Sequence, residues 1–205
     1  MTLAFAAFTR RGEDLARRLA EQFGGSVTRI DKENPLPVWT AQQFSEKEGL
    51  VFVGAVGIAV RAVAPHLRHK TTDPAVVAVD EGGRFAIPLV SGHLGGANAL
   101  AQAVAAHLGA IPVITTATDG RGLFAVDSWA NAQGCLVKEP ERIKWVSSKV
   151  LDGKQILLRC PWPISGEKPE EVSLTEEEAC DAAVTLYQEE NTALHLIPKA
   201  LTLGV

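Results

Sequence analysis

Short runs of consecutive apolar residues alternate along the chain with longer stretches whose apolar positions recur every three to four residues. Residues 3–8 (LAFAAF) form a run of buried-strand type. Residues 11–23 follow with Leu15, Ala16, Leu19, Ala20 and Phe23 at helical spacing. Gly24 and Gly25 end that helix, and residues 26–30 read as a second short strand. The prolines of KENPLPVW mark a loop, and residues 42–48 suit a short helix. LVFVGA, residues 50–55, is the clearest strand, a continuous apolar run of the kind buried on both faces in parallel sheets.

Gly57 leads into IAVRAVAPHL, a helical pattern that Pro65 ends or kinks. AVVAVD and RFAIPLV, joined by EGG, read as a β-hairpin. Between residues 94 and 108 a helix presents Leu94, Ala97, Ala101, Val104, Ala105 and Leu108 on one face, with Gly109 placed as its C-terminal cap. IPVITT is another buried strand, and VDSWANAQG a short helix. This alternation predicts an α/β fold, an open and mostly parallel sheet with helices on both faces. After about Gly134 the pattern weakens: an amphipathic helix at 139–151, a strand at 155–159 and the proline-rich PWPISGEKPEE. The predicted division is an N-terminal α/β domain over residues 1–136 and a smaller α+β domain over 137–205. The last residues, HLIPKALTLGV, look like the first strand of a further βα unit, so a missing C-terminal domain is expected beyond them.

Composition narrows the class. A chain of 205 residues with 46% hydrophobic and 21% charged residues has the makeup of an ordinary globular protein, which excludes a disordered one. The net charge of -4 and the lack of a Lys/Arg-rich run argue against nucleic acid as a partner. The longest apolar stretch, residues 50–64, is too short to span a bilayer and contains Arg61. The N-terminal MTLAFAAFTRR carries its arginines after its apolar run, the reverse of a signal peptide, so a cytoplasmic location and no membrane partner are expected. Cys135, Cys160 and Cys180 are too widely spaced for a CxxC pair and read as ordinary thiols.

Three polar or glycine-rich stretches each follow a predicted strand: GAVGIAVR, SGHLGGAN and TTATDGRG. If those strands are parallel, all three meet at the strand ends where open α/β sheets bind ligands. SGHLGGAN admits two readings. Free N–H groups and the helix dipole could hold an anionic oxygen, with Ser91 and Asn98 adding donors and Gly92, Gly95 and Gly96 permitting close approach. Alternatively the glycines serve packing alone. Neither GxGxxG nor a P-loop lysine is present, which counts against a nucleotide-sugar or phosphate-binding domain.

Arg61 could pair with a ligand carboxylate or with a structural acid. Lys70, with Arg68 and His69, forms a basic patch that is either solvated surface or an attractor for a polyanion. His93 has the titration range of a general acid or base. Asp73, before Pro74, suits a turn. Asp119 lies among Thr115, Thr116 and Thr118 at a strand end. No set of residues has metal-ligand spacing.

GAVGIAVRAVAPHL, KTTDPAVVAVDEGGRFAIPLVSGHLGGANALA and IPVITTATD, in that order, closely resemble the N-terminal region of the CbiG family, the cobalt-precorrin-5A hydrolases of anaerobic cobalamin biosynthesis. ERIKWVSSKVLDGKQILL is similar to the family's middle region. The resemblance implies hydrolytic opening of a ring A δ-lactone on a cobalt-precorrin macrocycle, with loss of a carbon fragment as acetaldehyde. It implies no cofactor, since cobalt is carried by the substrate. It makes other cobalamin-pathway enzymes candidate partners. On that basis His93 is assigned as acid or base, Asp119 as its partner or the orienter of water, and Asp73 as a further carboxylate. The N–H groups of Gly95 and Gly96 are assigned to the oxyanion. Arg61, Lys70, Ser91, Gly92, Asn98 and Thr116 are assigned to substrate carboxylates and polar groups. A tetrapyrrole-binding or carrier fragment, inactive without its C-terminal domain, is the competing reading.

Overall fold

A computed structural model describes residues 1–70, 72–116 and 122–199. The chain divides into two compact units, Met1–Ile114 and Thr115–Val205.

In the first unit, six strands among the described residues form one sheet in the order β2-β1-β3-β4-β5-β6. They are β1 (Leu3–Ala7), β2 (Ser26–Arg29), β3 (Gly49–Val53), β4 (Ala75–Val79), β5 (Phe85–Val90) and β6 (Ile111–Pro112). Strands β1 to β4 run parallel, β5 is antiparallel to β4, and β6 is parallel to β5. Every residue of β1, β3 and β4 is buried, because helices cover both faces. On one face α1 (Arg10–Phe23) and α4 (Ala97–Leu108) pack Leu15, Leu19, Leu100 and Val104 against Phe5, Val51 and Val77. On the other face α2 (Leu36–Glu46) and α3 (Val56–Val63) pack Trp39, Ala59 and Val63 against Leu50, Phe52 and Val76. The alternation of inward side chains along each strand produces these two cores.

Local chemistry sets the element ends. Thr9 caps α1 by accepting the Gly12 N–H at 3.0 Å. The hairpin between β4 and β5 is held by Asp80, whose carboxylate accepts the N–H groups of Arg84 and Phe85, both at 2.7 Å. The segment expected as a loop at KENPLPVW departs from that expectation: α2 begins at Leu36 with Pro35 as its N-cap. Proline is tolerated there because the first turn of a helix has N–H groups without intrahelical partners. After α3 a short 3-10 turn, Ala64–His66, contains Pro65 and ends the helical run.

The second unit contains β7 (Cys135–Val137), β8 (Ile156–Arg159), β9 (Val172–Leu174), β10 (Ala182–Val184) and β11 (Leu194–Pro198), in the order β7-β11-β10-β8-β9. Among the described residues of this unit, only the β7–β11 pairing is antiparallel. Among its described residues the α-helices are α5 (Val126–Ala132) and α6 (Ile143–Leu151). The compact units part at residues 114/115, earlier than the 136/137 division expected from composition. The reason is visible in α5, which leads directly into β7 of the second sheet. Among the described residues, no helix is long and apolar enough to cross a membrane.

Candidate functional site

The loop of residues 91–96 joins β5 to α4 and makes its own network of hydrogen bonds. The Ala97 N–H donates to the Ser91 carbonyl at 3.1 Å, the Asn98 N–H to that of Gly92 at 2.9 Å, and the Gly96 N–H to that of His93 at 2.9 Å. The first N–H groups of α4 are therefore satisfied inside the loop. Of the two glycine N–H groups expected to receive an oxyanion, that of Gly96 is already occupied.

Two glycines are explained by the backbone. Gly96 has φ 84°, a left-handed conformation that a side chain disfavours. A Cβ on Gly95 would lie 2.3 Å from Ser91 Cβ and 2.9 Å from the Ser91 carbonyl oxygen, closer than atoms can pack. Ser91 itself has φ 57°, the one positive value at a non-glycine among the described residues. That conformation costs roughly 1–2 kcal/mol, and the buried Ser91 hydroxyl offsets it by donating to the Asp73 carbonyl at 2.8 Å.

This hydrogen bond ties the loop to the turn before β4. There the Asp73 N–H donates to the His69 carbonyl at 2.9 Å. Both oxygens of the buried Asp73 carboxylate accept the Arg68 N–H, at 3.1 and 3.0 Å. Asp73 thus organises its own turn through its carboxylate and meets the loop that carries His93 through its carbonyl. His93 is half-buried, Asn98 is buried, and both are engaged in interactions of their own. Within this unit the arrangement offers a carboxylate, an imidazole, an amide and a hydroxyl on two loops joined by one bond. It suits proton transfer and polar recognition better than anion binding through free N–H groups.

The sequence-predicted meeting of three strand ends is corrected by the topology. Because β5 is antiparallel to β4, its last residue lies at the edge where β1, β3 and β4 begin. GAVGIAVR leaves β3 at the opposite edge. β6 is parallel to β5 and pairs with its first residues, Phe85 and Ala86. Thr116 belongs to the second unit, and Asp119 lies outside the described residues.

Arg61 is also relocated. It occupies the last turn of α3, and its side chain lines a cleft of about 500 Å³ with Leu36, Pro37, Ile58, Ala62, Pro65 and His66. A neighbouring cleft of about 330 Å³ includes Phe44, Pro65, His66, Leu67, Arg68 and Asp73. Lys70 is exposed on the turn that follows. Among the described residues, no group of His, Cys, Asp and Glu could hold a metal ion.

The second unit holds a polar pair that sequence reasoning missed. His195 on β11 is fully buried, with Nδ1 3.0 Å from Glu139 Oε1, and its backbone N–H donates to Glu139 Oε2 at 3.0 Å. The partners are 56 positions apart and no spacing rule links them. The one sequence signal was His195 inside the apolar run ALHLIP, whereas Glu139 stands among charged residues in VKEPER.

The family model described as Cobalamin synthesis G N-terminal matches residues 38–119, which include most of α2, all of α3 and the loop before α4. The chain is 44% identical over 138 residues to the cobalt-precorrin-5A hydrolase of Salmonella typhimurium, covering 63% of this chain and 39% of that protein. It is 32% identical over 212 residues to the cobalt-precorrin-5A hydrolase of Priestia megaterium, covering 96% of this chain and 55% of the relative. The chain therefore spans about half the length of the curated relatives it matches. A crystal structure of a cobalamin biosynthesis protein G homolog from Sulfolobus solfataricus matches with a TM-score of 0.59 at 21% identity, covering 96% of this chain and 60% of that one. That likeness bears on the fold.

Proposed function

The chain belongs to the CbiG family, and from that premise we propose that it forms part of a cobalt-precorrin-5A hydrolase of anaerobic cobalamin biosynthesis. The observation that carries the reading is the 32% identity to such an enzyme along 96% of the chain. The reaction opens the ring A δ-lactone by adding water to its carbonyl carbon and releases a two-carbon fragment as acetaldehyde. It requires a base to take a proton from water, donors to the oxyanion and an acid for the departing fragment. Cobalt belongs to the substrate, and no further cofactor is assigned.

His93 is the proposed base or acid, since its imidazole stands on a loop rather than in the core. Asp119 is proposed as its partner, with Asp73 acting through the turn it holds together. Ser91 is given a positioning role by its bond to Asp73. Gly92, Gly95 and Gly96 shape the loop around Asn98, which together with Thr116 is assigned to polar groups of the substrate.

The second reading, a tetrapyrrole-binding part that needs further protein for catalysis, is favoured by the occupied N–H groups at the start of α4. Incubation of His93→Ala and Asp119→Asn variants with cobalt-precorrin-5A tests the catalytic assignment, in a preparation where the unmodified chain releases acetaldehyde. Unchanged rates in both variants would remove it.

A further inference from the structure

We propose that the joined clefts between α2 and the α3 segment are the seat of the macrocycle, a flat apolar ring edged with carboxylates. This rests on the reading of the chain as a cobalt-precorrin-5A hydrolase. The two clefts share Pro65 and His66 and so form one trough. At its middle the rings of Phe44 and His66 lie 5.8 Å apart and inclined by 35°. On one side of them the floor is Leu36, Pro37, Ile58 and Ala62. On the other side Leu67 stays 45% exposed, an apolar side chain with surface still to cover.

The polar groups at the trough are arranged as a rim. Arg61 lines one half and Arg68 the other, and both residues are exposed. Among the described residues of the first unit, guanidinium ion pairs use Arg17, Arg29 and Arg84; Arg61 and Arg68, like Arg10, Arg11 and Arg18, are not among them. One acid, Asp73, also lines the trough, and its two oxygens are engaged by the Arg68 N–H. The half lined by Leu36, Pro37, Ile58 and Ala62 is apolar and the half with Arg68 also carries Ser45 and Thr72, so the trough offers an apolar seat on one side and polar and cationic groups for outward acetate and propionate groups of a planar ring. Asp73 lines the trough, and its carbonyl accepts the Ser91 hydroxyl, so one hydrogen bond links the lining of the trough to the loop of His93.

Uroporphyrin I, a planar tetrapyrrole with eight carboxylates, is the probe, and a porphyrin of similar size bearing four N-methylpyridinium groups is the opposite-charge control. Fluorescence titration of the 205-residue chain should show saturable uroporphyrin binding that weakens as salt rises. Arg61→Ala and Arg68→Ala should each raise the dissociation constant about threefold to tenfold. Leu67→Glu, which adds a carboxylate to the floor, should do the same or more. All three variants should melt as the unmodified chain does, since the positions are exposed. Binding of the cationic porphyrin should not respond to them in this direction.

Absent uroporphyrin binding, or binding that ignores all three substitutions, overturns the proposal. So does a change of oligomeric state on Leu67→Glu with uroporphyrin binding untouched, which would make the trough a protein interface. Acetaldehyde release reads the hydrolase assignment separately. Release from cobalt-precorrin-5A with indifferent variants sinks the trough alone, and variant-sensitive binding with no release from any preparation sinks the hydrolase reading alone.

Discussion

Replacing Gly95 with alanine tests whether the glycines before α4 exist for packing. The added Cβ would stand 2.3 Å from Ser91 Cβ and 2.9 Å from the Ser91 carbonyl oxygen, and neither atom belongs to the flexible end of a side chain. Relief requires the turn to open, which strains the Ala97–Ser91 hydrogen bond and the Ser91–Asp73 bond that holds the turn before β4. Overpacking of this kind costs about 1–3 kcal/mol. For a domain of this size, that corresponds to a fall of roughly 5–15 °C in the melting midpoint. Gly57→Ala is the control, because the nearest atom to its Cβ would be Arg61 Nη1 at 3.9 Å and the residue already lies in a helix. It should leave the midpoint unchanged or raise it, helix propensity favouring alanine by about 0.5–1 kcal/mol. Calorimetry of both variants decides the matter. A Gly95→Ala midpoint equal to that of the unmodified chain would refute the packing argument and return this glycine to the ligand-binding reading.

Ser91→Ala should destabilise the first unit by about 1–3 kcal/mol, since it leaves the buried Asp73 carbonyl without its donor, as measured by urea unfolding. Burial pushes the Asp80 carboxyl up, but the N–H groups of Phe85, Arg84 and Gly82 outweigh this and hold it below its ordinary value. The stability it contributes is therefore complete above the pKa of the unfolded chain and is lost as pH falls through the lower folded value. Asp80→Asn should flatten that acid limb of the stability curve, and an unaltered limb would rule Asp80 out as its source. In the second unit, Glu139→Ala removes the acceptor of two buried hydrogen bonds from His195 and should cost on the order of 3 kcal/mol, read by protection of the β11 amides against hydrogen exchange.

Much of the first unit was legible because its strands are buried on both faces and its helices carry regular apolar faces. β1, β3, β4 and the hairpin at Gly83 follow directly from those patterns. The hairpin sets RFAIPLV antiparallel to AVVAVD, but no pattern fixed the direction of LVFVGA against them; β3 runs parallel to β4, so the ends of β3 and β5 lie at opposite edges and the expected meeting of three strand ends is undone. The start of α2 was hidden because Pro35 and Pro37 suit a loop and a first helical turn equally well. In the second unit, β7, β9 and β10 have three residues each, too few for periodicity to register. At the site, the sequence singled out Ser91, His93 and Asp73 but could not show that the helix N–H groups are already bonded. That fact depends on Ser91 adopting φ 57°, which no residue type announces.

The most direct test is acetaldehyde. Purified chain, alone and mixed with the part of the Priestia megaterium relative that it does not match, is incubated with cobalt-precorrin-5A, and acetaldehyde is trapped and quantified. The proposed function predicts close to one equivalent per macrocycle from at least one preparation, with the added part alone inactive. No acetaldehyde from either preparation, under conditions where the complete relative turns over, would contradict it.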